Sequence, residues 1–270
     1  MDEIQTVVVG AGVIGIAIAR KLARLGHEVL VLEAEDRIAQ HTSSRNSQVI
    51  HAGMYYEPGS LRAQLCVAGK QMLYDYCADR HVPYENTGKL IVAANETHLA
   101  KMPVLLARAV ANGVTDLQQI SAQDARALEP ELACHGAIWS PSTGILDVPA
   151  FMLSLLGEAE ACGAFVALGS PLKTVSISDG FVLTIGDAAQ TQVRCRNLIN
   201  AAGLGAWDVA RGMSGLSRTF VPEQHFGKGH WYSVSGKRPF ERLIYPMPDD
   251  DTLGVHYVRD TGGGFRFGPD

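Results

Sequence analysis

The chain has 270 residues, 47% of them hydrophobic and 19% charged, a balance that builds a folded core and excludes a disordered chain. A formal net charge of -5 with no cluster of Lys and Arg excludes a nucleic-acid footprint. Five cysteines (Cys66, Cys77, Cys134, Cys162, Cys195) at wide, irregular spacings form no C-x-x-C pair, so they read as reduced thiols and not as a zinc or redox site.

The chain opens with the strand QTVVV, followed by Gly10-Ala11-Gly12-Val13-Ile14-Gly15 and then by IAIARKLARLG, whose apolar residues recur at helical spacing until Gly26. HEVLVLEAE supplies a second strand ending at Glu33, which completes a βαβ unit with strands apolar enough to be buried on both faces of a parallel sheet. The apolar start is preceded by MDEIQ, acidic where a secretory signal needs basic residues. No run reaches the roughly eighteen apolar residues of a spanning helix. The expected location is the cytoplasm, with peripheral contact at the inner face of the membrane left open.

The polar run HTSSRNSQVIHAG follows from His41 to Gly53, and residues 60 to 80 then read as a helix opened by Pro58-Gly59-Ser60. GKLIVAA is a strand, residues 96 to 111 a helix, and Ser121 with Asp124 a capping box. Cys134-His135 has no metal-ligand spacing and reads as a loop; Asp147 is placed to cap the helix that stops at Gly163. From 164 to 200 the period becomes two, and FVALGS, LKTVSIS, FVLTIG and QVRCRNLIN read as a β-meander that returns to α/β organisation at Asn200-Ala201-Ala202-Gly203. The remainder reads as antiparallel strands, with the TGGG of 261 to 264 as a hairpin turn.

A G-x-G-x-x-G between strand and helix, with an acid 23 positions after Gly10, is a dinucleotide fingerprint. Gly10 permits the turn, Gly12 the approach of a pyrophosphate, and Gly15 the close packing of helix on strand; the helix start offers free N–H groups and a positive dipole end. Glu33 suits a ribose hydroxyl and disfavours a 2′-phosphate. The motif leaves NAD and FAD unseparated, but the late third sheet strand, near residues 195 to 201, looks like the glutathione-reductase-type FAD fold.

TSSRNSQVIHAGMYYEPGSLRAQLCVAG, with WSPSTGILDVPAFM, KGHWYSV, RLIYPMP, LGVHYVRD and RFGPD, closely resembles the L-2-hydroxyglutarate dehydrogenase or oxidase group of the D-amino-acid-oxidase-like (DAO) FAD oxidoreductases. The resemblance implies an α/β fold in which a Rossmann FAD-binding domain (residues 1–80 and 148–215, the latter with the β-meander) is interleaved with an antiparallel-sheet substrate domain (81–147 and 216–270). It implies oxidation of a 2-hydroxy acid by hydride transfer to FAD, with a quinone or oxygen as electron acceptor. Amino-acid or glycerol-phosphate oxidation and an inactive nucleotide-binding fragment are the alternatives.

Carried over residue by residue, the resemblance places FAD contacts at Gly10, Gly12, Val13, Ile14, Gly15, Glu33 and Ala34. It adds Thr42, Ser43, Ser44, Arg45, Asn46 and Ser47 from the polar run, and Leu172, Ala201, Ala202 and Gly203. Removing a hydride from a secondary alcohol also requires a base for the hydroxyl proton and a group to hold the carboxylate. His51 and His256 are the candidates for the first task, ahead of His230, and Tyr56, Lys228, Tyr245 and Arg266 for the second. Family members continue beyond FRFGPD, so a chain ending at Asp270 is expected to bind FAD more weakly.

Overall fold

A computed structural model describes residues 1–186, 190–248 and 254–269. The chain divides into two compact units, residues 1–46 with 148–226 and residues 47–147 with 227–270. Residues 47–80, expected with the nucleotide-binding part, cluster with the second unit.

In chain order the elements begin with β1 (Asp2–Val9), α1 (Val13–Arg24), β2 (Val29–Leu32), β3 (Val49–Ile50), α2 (Leu61–Arg80), β4 (Tyr84–Glu85), β5 (Lys89–Ala93) and α3 (Glu96–Ala111). Then come β6 (Gln118–Ser121), α4 (Ala122–Leu128), β7 (Gly136–Ser140), β8 (Gly144–Leu146), α5 (Val148–Ala161), β9 (Phe165–Ala167), β10 (Leu172–Ser178), β11 (Gly180–Ile185) and β12 (Thr191–Asn200). The last are α6 (Ala206–Gly212), β13 (Met213–Ser214), β14 (Tyr232–Val234), β15 (Leu243–Pro246), β16 (His256–Arg259) and β17 (Phe265–Gly268).

The first unit is a sheet in the order β13-β10-β11-β12-β1-β2-β9 among the described residues. The four strands β12, β1, β2 and β9 run parallel, and the β10-β11-β12 ladder is antiparallel. FVALGS is therefore not the first strand of the meander: Phe165–Ala167 runs parallel to β2, and α5 is the crossover helix that brings it there, packing on α1. The pattern of period two cannot show this, because a short parallel edge strand and a meander strand read alike. Val7, Leu32, Val175, Leu183, Val193 and Cys195 form the core of this unit.

The second unit holds the sheet β14-β17-β16-β15-β5-β7-β6 and a small one, β3-β8-β4. Its neighbours are antiparallel except β15 and β5, which run parallel, with Leu243 opposite Lys89. The sheet is thus the expected antiparallel one with a single parallel pair among its described strands. Helix starts follow local chemistry: Ser60 accepts from Ala63 N–H, Asn95 from His98 N–H, and Ser121 with Asp124 forms the predicted capping box. The turn before β17 is the predicted hairpin, where the Asp260 carboxylate accepts from the N–H groups of Gly262 and Gly264. Thr252 and Leu253, at the start of TLGVHYVRD, lie outside the described residues. All five cysteines are free thiols.

Candidate functional site

The first unit builds a glycine cradle. Gly10 follows β1 with φ of +101°, and a methyl there would lie 2.5 Å from the Ala201 carbonyl oxygen; a methyl on Gly15 would collide with the Gly10 carbonyl. The two positions are therefore closed to any side chain, and α1 starts hard against its strand. Gly12 caps α1 without a side-chain bond, which leaves the N–H groups of Ile14 and Gly15 with no intrahelical acceptor and the helix dipole facing outward. Ile14, a large apolar residue, is 64% exposed beside them.

The remaining predicted cofactor residues of this unit gather around that turn, with two qualifications. Glu33 is nearly buried, and its carboxylate already accepts from Ala11 N–H at 2.8 Å and Glu35 N–H at 3.0 Å, so it fixes the turn as well as offering lone pairs to a ribose. Its neighbour Ala34 leads into the crossing where Glu33 and Glu35 carbonyls accept from Ser170 and Gly169. Thr42–Ser44 is a 3-10 turn, and Ser43 Oγ accepts from Val13 N–H at 2.9 Å.

Much of the donor density in the run is already used internally. Ser44 donates to the His41 carbonyl, Arg45 to the Gln40 and His41 carbonyls, and Asn46 to the Ser43 carbonyl. Ala201 N–H donates to the Val9 carbonyl, Ala202 follows against Gly10, and Gly203 opens a 3-10 turn. Leu172 is the exception: it packs against the core of the sheet, at an irregular step in the β10 ladder.

This cradle fits a dinucleotide such as FAD: its backbone is bare at the positions a pyrophosphate approaches, and an acid stands at the end of the second strand.

The second unit gathers a different chemistry. Tyr245 on β15 and His256 on β16 stack with ring centroids 3.6 Å apart. Lys89, on the parallel neighbour β5, is fully buried, and its Nζ lies 4.6 Å above the Tyr245 ring and 4.8 Å above that of Tyr55. Because His256 covers one face of Tyr245, the ammonium occupies the other. The order of layers is therefore Tyr55, Lys89, Tyr245, His256. Lys89 Nζ has no hydrogen-bond partner and no carboxylate within ion-pair distance among the described residues. Burial pulls it from the ordinary lysine range to about 7.

His51 belongs to the same cluster. Burial, then the charges of Lys89 and His256, lower its imidazole to about 3, and the ring makes no hydrogen bond to the described residues, while its carbonyl accepts weakly from the Cys66 thiol. Ser47 hydrogen-bonds the Tyr245 hydroxyl, and burial raises the hydroxyls of both Tyr55 and Tyr245. The loop that carries His51, Tyr55 and Tyr56 is pinned by Asn112, which donates to the Gly53 and Tyr56 carbonyls.

Of the residues expected to hold a carboxylate, Tyr245 lies in this cluster. Tyr56 faces Arg62, Arg266 lies over Trp231, and Lys228 is exposed in a stretch without regular structure. Sequence reading missed Lys89, Tyr55 and Cys66. The available signal was a lysine opening an otherwise apolar central strand, KLIVA, where a solvated side chain has no natural place. No metal-binding group of His, Cys, Asp and Glu occurs among the described residues, nor a helix long and apolar enough to cross a membrane.

The family model described as FAD dependent oxidoreductase, DAO, matches residues 5–270. The chain is 37% identical over 300 residues to the mitochondrial L-2-hydroxyglutarate dehydrogenase of Arabidopsis thaliana, covering all of this chain and 62% of that protein. It is 31% identical over 275 residues to the L-2-hydroxyglutarate dehydrogenase of Indibacter alkaliphilus, covering 99% and 67%. Among solved structures, the L-alpha-glycerophosphate oxidase of Mycoplasma pneumoniae with FAD bound superposes with a TM-score of 0.90 at 25% identity, over all of this chain and 72% of that one. Glycine oxidase of Geobacillus kaustophilus gives 0.81 at 18%, over all of this chain and 72% of that one. The chain thus spans a little under two thirds of the length of the Arabidopsis protein.

Proposed function

Because the chain belongs to the DAO family of FAD-dependent oxidoreductases, we propose that it oxidises a small 2-hydroxy acid, L-2-hydroxyglutarate, to 2-oxoglutarate. The names of relatives at 31% to 37% identity support this substrate. The observation that carries the reaction class is His51, a neutral imidazole whose ring makes no hydrogen bond among the described residues, inside a cluster of buried aromatic and cationic groups. When bound, FAD supplies the acceptor for the hydride that leaves the substrate's C2. The hydroxyl proton goes to His51, and the C2–O bond becomes the carbonyl of the product.

His51 is available for that step because burial keeps its imidazole unprotonated at neutral pH. His256 is held flat by Tyr245, which fixes its orientation for a hydrogen bond to the substrate. Arg266 and Tyr245 supply polar contacts for a carboxylate, and residues 10–15, 33–34, 42–47 and 201–203 hold the dinucleotide. Electrons pass on to a quinone or to oxygen. A quinone would be reached by peripheral contact of a cytoplasmic protein with the membrane, a contact that co-sedimentation with lipid vesicles tests.

A second reading, oxidation of glycerol phosphate, rests on the glycerophosphate oxidase at 25% identity and uses the same proton acceptor. Anaerobic mixing of the flavin-loaded protein with L-2-hydroxyglutarate, glycerol 3-phosphate, D-amino acids and sarcosine separates the readings. Bleaching of the flavin by L-2-hydroxyglutarate is expected, and bleaching by another of these compounds but not by it would overturn the substrate assignment.

A further inference from the structure

Oxidation at C2 leaves the far end of the substrate without an assigned partner. β16 and β17 pair with His256 opposite Gly268 and Val258 opposite Arg266, so His256 and Arg266 are diagonal neighbours on one face of the sheet. Such neighbours stand about 7–8 Å apart along the backbone, a gap that a long side chain and a short diacid close between them. Trp231 occupies the space that Gly268 leaves: a methyl on Gly268 would lie 2.9 Å from its Cδ2. The Arg266 guanidinium lies 5.2 Å over the centre of that indole. Tyr245, His256 and Trp231 therefore follow one another across the face, and Arg266 rests on the last of them.

Access separates Arg266 from the other cation near His256. Lys89 has no exposed surface, so a ligand does not reach it, whereas Arg266 is half-buried and lines a cavity of about 140 Å³ with Ser233 and Val258. The other charged groups of that lining have partners of their own: Arg259 pairs with the Glu85 carboxylate at 2.6 Å, and Asp260 accepts from the N–H groups of Gly262 and Gly264. In a five-carbon 2-hydroxy diacid, two methylenes separate the reacting carbon from the second carboxylate. The indole gives those methylenes an apolar surface, and the guanidinium above it gives the carboxylate a planar fork of donors. Resting on a 2-hydroxy acid as the substrate, we propose that Arg266, seated over Trp231 and diagonal to His256, is a specificity residue. It binds the carboxylate remote from the reacting carbon and so selects a five-carbon diacid over a monoacid of the same length. The carboxylate beside the reacting carbon is left to Tyr245.

The test is titration calorimetry of the flavin-loaded protein with 2-oxoglutarate and with 2-oxopentanoate, which differ only in the second carboxylate. The parent, Arg266→Leu, Arg266→Gln and Arg266→Lys are compared. The parent is expected to bind 2-oxoglutarate about 10- to 100-fold more tightly, the scale of a charge-assisted hydrogen bond. In the Leu and Gln variants 2-oxoglutarate weakens to the level of 2-oxopentanoate, whose own affinity stays within a few-fold of the parent's. The Lys variant keeps a smaller preference, because a point charge replaces a fork. A parent without the preference, a preference that survives in whichever of the Leu and Gln variants folds, or equal weakening of both ligands would each overturn the proposal. A preference that Arg266→Leu abolishes, in a protein whose flavin L-2-hydroxyglutarate leaves oxidised, would keep the carboxylate subsite and remove the proposed reaction.

Discussion

Tyr245 and His256 lie face to face, 11° from parallel, on adjacent antiparallel strands, so the imidazole has one flat surface fixed by a side chain that is itself only 3% exposed. A ring held in this way loses little orientational freedom when it meets a ligand, which is the entropic basis of preorganisation.

Tyr245 can be divided into its two contributions. Tyr245→Phe keeps the stack and the cation–π face and loses the hydroxyl, with its bond to Ser47 and its proposed contact to the substrate carboxylate, so it should cost about 1 kcal/mol in stability and raise KM with a smaller change in kcat. Tyr245→Ala removes the ring between Lys89 and His256; a loss of about 3–5 kcal/mol is expected from an aromatic truncation in a core. Urea unfolding of the two variants with steady-state kinetics checks the difference.

His51→Gln keeps size and polarity without a titrating nitrogen. The expected result is a fall in kcat of about 10²- to 10⁴-fold with a smaller change in KM, as for removal of a general base. Equal kinetics for variant and parent would remove His51 from the reaction.

Lys89 has a consequence for stability that depends on pH. Its folded value near 7 lies below the ordinary lysine value of 10.5, so the folded state resists the proton that the unfolded state accepts. The resulting penalty is absent above pH 10.5, grows as pH falls towards 7, and is complete below 7. Lys89→Met should therefore stabilise the protein by an amount on the order of a few kcal/mol at pH 6 and by little at pH 10, provided the unfolded lysine is ordinary. Urea melts at the two pH values measure the gap; a larger gain at pH 10 would contradict the burial argument.

The cradle allows a sharper substitution. Gly15→Ala forces a methyl onto the Gly10 carbonyl, which is backbone and cannot swing away. Loss of visible flavin absorbance after FAD is added and excess removed is expected. Ile14→Ala, at the exposed neighbouring position, should retain it.

The nucleotide half was readable from the sequence because its signals are local: glycines at fixed offsets, an acid ending a strand, a helix opening directly after the turn. The aromatic and cationic cluster was only half readable. His51 and His256 announced themselves as histidines in distinctive runs, but Lys89 reaches them through the parallel pairing of β5 with β15, two strands separated by about 150 residues of chain. No local pattern specifies that pairing. The same limit explains β9, whose three residues carry too little periodicity to reveal a parallel partner at β2. It also explains the polar run, where counting donors could not show how many bond to the run's own carbonyls.

The hydrogen bond from Val13 N–H to Ser43 Oγ spans 30 residues and joins the first turn of α1 to the loop at residues 42–44. Loop order and helix-end geometry are thereby one cooperative property. Any anion that tightens its grip on the neighbouring N–H groups also makes release of Ser43 less favourable, and by thermodynamic reciprocity an ordered loop raises the affinity for that anion. Resistance of the segment around Arg45 to trypsin would then report how full the cradle is, with no need to observe the flavin at all.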